Sequence, residues 1–385
     1  MQANAIMQAN PLRELGTLGQ SIWLDYIRRD LIVSGKLRRL IQEDGVRGMT
    51  SNPSIFAEAI EGSCDYEQDI RVMRAAGTGV PAIYENLSQK DVQSAADQFR
   101  PLYESSEARD GYVSLEVNPH LAYDTAGTIK EARRLWGALN RPNVFIKVPA
   151  TAEGLPAIEQ LIGEGINVNV TLLFGIPRYR QVVEAYLAGL EARTTAGKPI
   201  ASVASVASFF VSRIDTLIDP LLEKYISPGG KDAEIAEVLH GQVAIASAKA
   251  AYQIYKEICD SDRFRKLANG GARSQRLLWA STSTKNPAYS DVKYIEALIG
   301  QDTVDTVPVE SLDKYRDHGQ PELRIDQEVG KAHWMLERLP GLGISIGKMT
   351  QQLEDEGVKK FSQSFDELMA KLGTAVSQRE PASRG

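Results

Sequence analysis

Short apolar runs, most ending near a polar or ionisable side chain, recur eight times along the chain and alternate with stretches of helical period. The runs span residues 21–25, 46–51, 112–117, 144–148, 167–172, 200–210, 276–281 and 303–307. Between them, residues 128–139, 154–164 and 178–194 place apolar side chains at helical spacing. Strands alternating with helices predict parallel βαβ units. Eight such units fit a closed (β/α)8 TIM barrel of the α/β class. A doubly wound open sheet is the alternative, but it would usually carry a Gly-rich first turn, and none follows residue 25. The glycines of 341–347 follow helical sequence and have the wrong spacing for a phosphate loop, so that segment is expected to be a loop.

Two stretches exceed a minimal barrel of roughly 250 residues. One, residues 213–274, lies between the sixth and seventh runs and holds a helical pattern over 234–258. The other follows Pro308 and includes helical patterns at 327–339 and 355–372. A single domain over 1–372 with these helical additions is expected, followed by a disordered polar tail at 373–385.

Composition narrows the function classes. Hydrophobic residues at 43% and charged residues at 24% indicate a globular protein, and a net charge of -6 gives no general footprint for nucleic acid. One basic cluster, Arg28, Arg29, Lys36, Arg38 and Arg39, alternates with leucines and isoleucines and is expected to be the solvated face of an amphipathic helix. Two distant cysteines, Cys64 and Cys259, offer neither a disulfide framework nor zinc spacing. The four histidines form no ligand pair, so no metal is expected. Residues 1–16 lack the pattern of a secretory signal, and the apolar stretch 199–211 is too short to span a bilayer. A cytoplasmic location without a membrane partner follows.

The polar residues at strand ends carry the candidate chemistry. Asp25 closes the first run, Asn52 follows the second and Glu116 lies in the third. Lys147 ends the fourth, in Val144-Phe145-Ile146-Lys147-Val148-Pro149, while Asn169 and Thr171 alternate along the fifth. Ser208 and Arg213 end the sixth and Ser281 the seventh. A parallel barrel gathers its active site at the carboxyl ends of several strands. Each residue also has a plain alternative: Asn52 sets a turn before Pro53, Ser208 satisfies a carbonyl, Asp25 caps a helix, and Lys147 snorkels to water or merely pairs with Glu116. Taken together, a lysine in apolar surroundings beside two carboxylates points to Schiff-base carbonyl chemistry. Desolvation favours the neutral, nucleophilic amine, and the carboxylates move the protons.

At these residues the chain resembles the transaldolase family. The matching segments include Gly48-Met49-Thr50-Ser51-Asn52-Pro53-Ser54, Ser114-Leu115-Glu116-Val117, Val144 to Thr151, Glu164 to Phe174, Ala207 to Arg213 and Trp279-Ala280-Ser281-Thr282. Length and motif wording are most like the longer bacterial branch. The resemblance implies a (β/α)8 barrel, transfer of a dihydroxyacetone unit between sugar phosphates, no metal or organic cofactor, and a place in the non-oxidative pentose phosphate pathway. It makes Lys147 the Schiff-base lysine and Asp25 the acceptor of the C4 hydroxyl proton. Glu116 becomes an acid/base acting through a water held by Thr171. Asn52, Asn169 and Ser208 would bind the hydroxyls of the dihydroxyacetone unit, Arg213 the phosphate, and Ser281 would lie in the phosphate region.

One position departs from the pattern. The better-known branch carries a second phosphate-binding arginine two residues after the equivalent of Ser281, where this chain has Ser283. Lys285 is the candidate substitute, with an exposed loop lysine as the alternative; an ammonium would bind phosphate as a point charge without a two-pronged contact. Two rival functions stay open at this stage. One is a sugar-phosphate aldolase releasing free dihydroxyacetone, although shorter relatives of that kind tend to carry tyrosine at the position of Phe210. The other is a non-catalytic sugar-phosphate-binding protein. The expected partners are the sugar phosphates alone, with the chain a monomer or homodimer.

Overall fold

A computed structural model describes residues 10–377 apart from 62 and 228. Eight parallel strands close into a barrel in chain order. They are β1 (Gln20–Asp25), β2 (Gly48–Thr50), β3 (Tyr112–Glu116), β4 (Val144–Pro149), β5 (Val168–Leu173), β6 (Ser205–Phe210), β7 (Arg276–Ala280) and β8 (Thr303–Val307). Nearly every strand residue is buried, as expected where one face fills the barrel and the other meets a helical layer. The helices Thr125–Leu139, Gly154–Glu164 and Ile176–Thr195 stand at the predicted places.

The lower half of the barrel is filled by aromatic rings. Tyr112 stacks on Phe145 at 4.3 Å between centroids, and Trp23 lies 6.1 Å from Phe145. Gly48 makes room for the indole, since a Cβ there would come within 2.5 Å of the Trp23 ring. Below this layer Arg276 donates to Asp110 at 3.1 Å and to Ser21 at 2.7 Å, placing a paired charge at the amino-terminal end. The upper half is left to smaller and polar side chains, which is where a site can form.

The structure revises several boundaries. β2 is shorter than the run at 46–51, and β6 begins at Ser205 because residues 201–202 form a turn. The helical pattern at 234–258 is two helices, Lys231–Leu239 and Val243–Cys259, broken where Gly241 adopts a φ of +68°. Likewise the basic cluster spans two short helices, Arg29–Val33 and Lys36–Glu43, separated at Gly35 (φ +80°). Its second member is no solvated residue. Arg29 is largely buried, ion-paired to Asp91 at 2.9 Å and Asp69 at 2.7 Å, with its guanidinium over the Tyr66 ring.

The C-terminal helix is longer than its pattern predicts, running Ile346–Ser377 across residues expected to begin the tail. Residues 378–385 lie outside the described residues, as do residues 1–9 of the segment read for a secretory signal. This helix crosses the upper face of the barrel. Arg178 grips Glu354 at 3.0 Å, Ser54 bonds Ser364 at 2.9 Å, and Lys371 pairs with Glu61 at 2.8 Å. Among the described residues no helix is long and apolar enough to cross a membrane, and no cluster of His, Cys, Asp or Glu could hold a metal ion.

Candidate active site

Register brings the predicted residues together. Glu116 is the direct partner of Lys147 across β3 and β4, and Lys147 is the partner of Asn169 across β4 and β5. Asp25 stands opposite Thr50 on β2. Period-two alternation then turns all of these side chains inward at the carboxyl end of the barrel. Asp25, Asn52, Lys147, Thr171, Ser208 and Phe210 line a cavity of about 310 Å³, with Arg213, Ser281 and Lys285 around it, whereas Glu116 and Asn169 touch Lys147 and Ser208 from behind and are not part of its lining. A volume of that size suits a small sugar phosphate.

Lys147 is 5% exposed, so the snorkelling alternative fails. Its Nζ donates to the Ser51 carbonyl at 3.2 Å and stands 3.8 Å from Glu116 Oε2. That distance is long for a structural ion pair. The two Glu116 oxygens and the Thr171 hydroxyl are buried with no other hydrogen-bond partner among the described residues. Burial, augmented by Asp25 and offset by Lys147, pushes the Glu116 carboxyl up to about 7. Asp25 is treated differently by its neighbours. Burial raises its carboxyl too, but Lys147, the Thr50 hydroxyl, Arg213 and Lys285 all oppose the rise. Thr50 donates to Asp25 Oδ1 at 2.6 Å and is itself 2.7 Å from the Thr306 hydroxyl, which fixes the carboxylate in one orientation.

A second hydrogen-bonded set lies on the other side of the lysine. Ser208 donates to Asn169 Oδ1 at 2.6 Å, and Asn169 Nδ2 donates to Ser114 at 3.1 Å. Asn52 Oδ1 accepts from the Ile55 amide at 3.0 Å, at the start of the helix Pro53–Glu61, and the residue also lines the cavity. Phe210 packs on Phe174 with centroids 5.0 Å apart, and the Arg213 guanidinium lies over its ring. Arg213 sits at the start of the helix Ser212–Ile226 rather than on β6, and among the described residues it has no carboxylate ion pair. Ser281 follows β7 with a φ of +56°, a strained conformation for a non-glycine residue, held by the Ser212 amide donating to its carbonyl at 3.0 Å. Lys285 is exposed at the edge of the cavity, and among the described residues its one hydrogen bond is to Ser283, at 2.7 Å.

A residue set of this composition and order decides the family. The sequence model of the Transaldolase/Fructose-6-phosphate aldolase family matches residues 22–372. The chain belongs to this family. Among relatives, it is 47% identical over 380 residues to Transaldolase 2 of Nostoc sp., covering 97% of this chain and all of that protein. It is 45% identical over 364 residues to a Transaldolase of Thiobacillus denitrificans, with 94% and 100% coverage. A Transaldolase of Saccharopolyspora erythraea is 45% identical over 370 residues, with 95% and 98% coverage.

Sequence reasoning missed several residues that line the same cavity. Thr50 and Thr306 hold Asp25, and Tyr26, Glu58 and Glu310 lie at its edge. Lys360 and Phe361 reach it from the C-terminal helix, and no local sequence signal marks either. A larger cavity of about 440 Å³ opens at the opposite end of the barrel, bordered by Arg109, Arg273 and Arg276. Its arginines are engaged by Asp302, backbone carbonyls and Asp110, and no lysine or cysteine is among its lining residues.

Proposed function

We propose that the chain is a transaldolase, transferring a three-carbon dihydroxyacetone unit from sedoheptulose 7-phosphate to glyceraldehyde 3-phosphate and giving erythrose 4-phosphate and fructose 6-phosphate. The observation that carries this reading is the buried Lys147 amine facing Glu116 and sharing a cavity with Asp25 and Arg213. In the first half-reaction the amine attacks C2 of the ketose and loses water to give an iminium. Glu116 takes the lysine proton and returns it to the leaving hydroxyl. Asp25 accepts the proton of the C4 hydroxyl as the C3–C4 bond breaks. The electrons pass into the iminium, the aldehyde leaves, and an enamine stays on Lys147. The acceptor aldehyde then reverses these steps.

Asn169, Ser208 and Asn52 present hydroxyl-binding groups to the dihydroxyacetone unit, and Thr171 stands where it can hold a water for Glu116. Arg213, Ser281 and Lys285 surround the far side of the cavity, where the phosphate would lie. Lys285 supplies the charge that the serine at 283 lacks. The rival aldolase reaction needs water at the enamine, and Phe210 has no hydroxyl with which to place one. Substrates of this kind support a cytoplasmic enzyme of the non-oxidative pentose phosphate pathway.

Borohydride reduction in the presence of fructose 6-phosphate is the direct test. It should add the mass of a reduced dihydroxyacetone unit to the peptide holding Lys147, and Lys147→Ala should abolish both the adduct and coupled transfer. Label elsewhere, or none, would reject the mechanism.

A further inference from the structure

Lys360 is the cavity cation whose presence the chemistry above does not use. It stands on the C-terminal helix, beside Phe361, which is 5% exposed and lines the cavity with it. Among the described residues it has no ion-pair or hydrogen-bond partner. It lies close enough to Lys285 that, after burial and Arg213, it contributes to holding that ammonium below its usual range. Like charges gathered in one place, only partly offset by Asp25 and Glu356, are unfavourable in the empty state and are retained where an anion binds.

The helix is placed to hold this lysine still. Gly357, one turn earlier, lets it lie on the end of β5, because a Cβ there would meet Leu172 Cδ2 at 3.0 Å. Gly175 likewise admits Thr350, whose hydroxyl would be 2.6 Å from an added Cβ. With the Arg178–Glu354 and Ser54–Ser364 contacts on either side, Lys360 is carried by a docked element. Glu356, on the same helix, attracts Arg213, so helix and guanidinium are electrostatically linked as well.

We propose that Lys360 is a substrate-binding residue which, with Arg213 and Lys285, completes a three-cation cradle for the substrate phosphate and makes the C-terminal helix part of the active site. The inference rests on the sugar-phosphate reading above and deepens it. Three elements far apart in sequence then grip one group: the helix after β6, the loop after β7 and the C-terminal helix. Two flexible ammonium groups compensate for the absent planar guanidinium.

The test compares wild type, Lys360→Ala and Lys360→Arg by steady-state transfer from fructose 6-phosphate and from unphosphorylated fructose, and by calorimetric titration with inorganic phosphate. Lys360→Ala should raise KM for fructose 6-phosphate by about tenfold, the loss expected for one charge-assisted contact. The loss should fall on KM rather than kcat. Phosphate binding should weaken to a similar degree, Lys360→Arg should recover most of it, and kcat/KM for fructose should stay near the wild-type value. Unchanged KM and phosphate affinity in Lys360→Ala would overturn the proposal, as would equal losses with both sugars, which would mark a purely structural role. If wild type itself transfers nothing, the parent reading fails, and the phosphate titration alone still decides the place of Lys360.

Discussion

Glu116 and Asp25 face the same lysine, yet they differ in what else touches them. Asp25 has a hydroxyl donor and three nearby cations working against burial, whereas Glu116 has only Lys147 and is pushed up to about 7 by burial and by Asp25. Neighbouring carboxylates held in different environments are suited to separate duties. Glu116 must be ionised to take the lysine proton, so kcat/KM should fall as pH drops through about 7, the value set by its burial. Replacing it by glutamine should remove that limb and slow turnover by roughly 100-fold or more, the usual weight of a general acid/base. A wild-type profile that is flat across this range, measured by coupled assay, would deny Glu116 the role. The sequence places each of these residues at a strand end but cannot show the proton affinities, which depend on Thr50, Thr306 and the cations across the barrel.

At the scale of elements, the end of β4 is shaped by the helix that follows it. Thr151 accepts from the Gly154 amide at 3.0 Å, and Gly154 lies so close beneath that an added Cβ would stand 2.0 Å from the Pro149 carbonyl oxygen. Backbone atoms cannot yield as a side-chain tip can. Gly154→Ala should therefore destabilise the fold by about 1–3 kcal/mol, the usual range for overpacking. Because β4 carries Lys147, the same change should lower kcat in the fraction that stays folded. Urea unfolding followed by fluorescence checks the first outcome; a stability equal to wild type would mean the helix start can shift freely. Strands were legible because barrel strands are continuous apolar runs, and 154–164 because its period and flanking Gly165 bound it. The breaks at Gly35 and Gly241 were less legible, because each is one left-handed residue inside an otherwise unbroken helical pattern. Leu172 gives no warning of its φ of +54° at all, since leucine rarely adopts it; the strain is imposed where β5 shifts register against β6.

Over the whole molecule, the additions beyond the minimal barrel tie its upper loops together. Asp215 and Asp219, on the helix that carries Arg213, accept from the Ala244 and Gly241 amides and from the Tyr294 and Tyr289 hydroxyls. The insertion is thereby joined to the segment after β7, a link between residues some seventy positions apart that no local pattern could reveal. On the neighbouring strand, Asp305 is buried with one hydrogen bond, from Thr282 at 2.8 Å, just beyond Ser281 in that loop. Burial, little offset by that bond, raises its carboxyl to about 7. The sign of its contribution to stability follows. Below the ordinary value near 3.8 the group is protonated whether folded or unfolded, and it costs nothing extra. Between there and about 7 the unfolded chain loses the proton while the folded chain keeps it, so stability declines as pH rises and then levels off. Asparagine imitates the neutral acid and can still accept from Thr282. Asp305→Asn should thus be close to wild type in urea at acidic pH. Above neutrality it should be more stable, by an amount on the order of a few kcal/mol at most. A gain independent of pH would show that Asp305 titrates alike in the folded and unfolded chain, so that at neutral pH it ties the phosphate-side loop to β8 by a charge rather than by a neutral carboxyl.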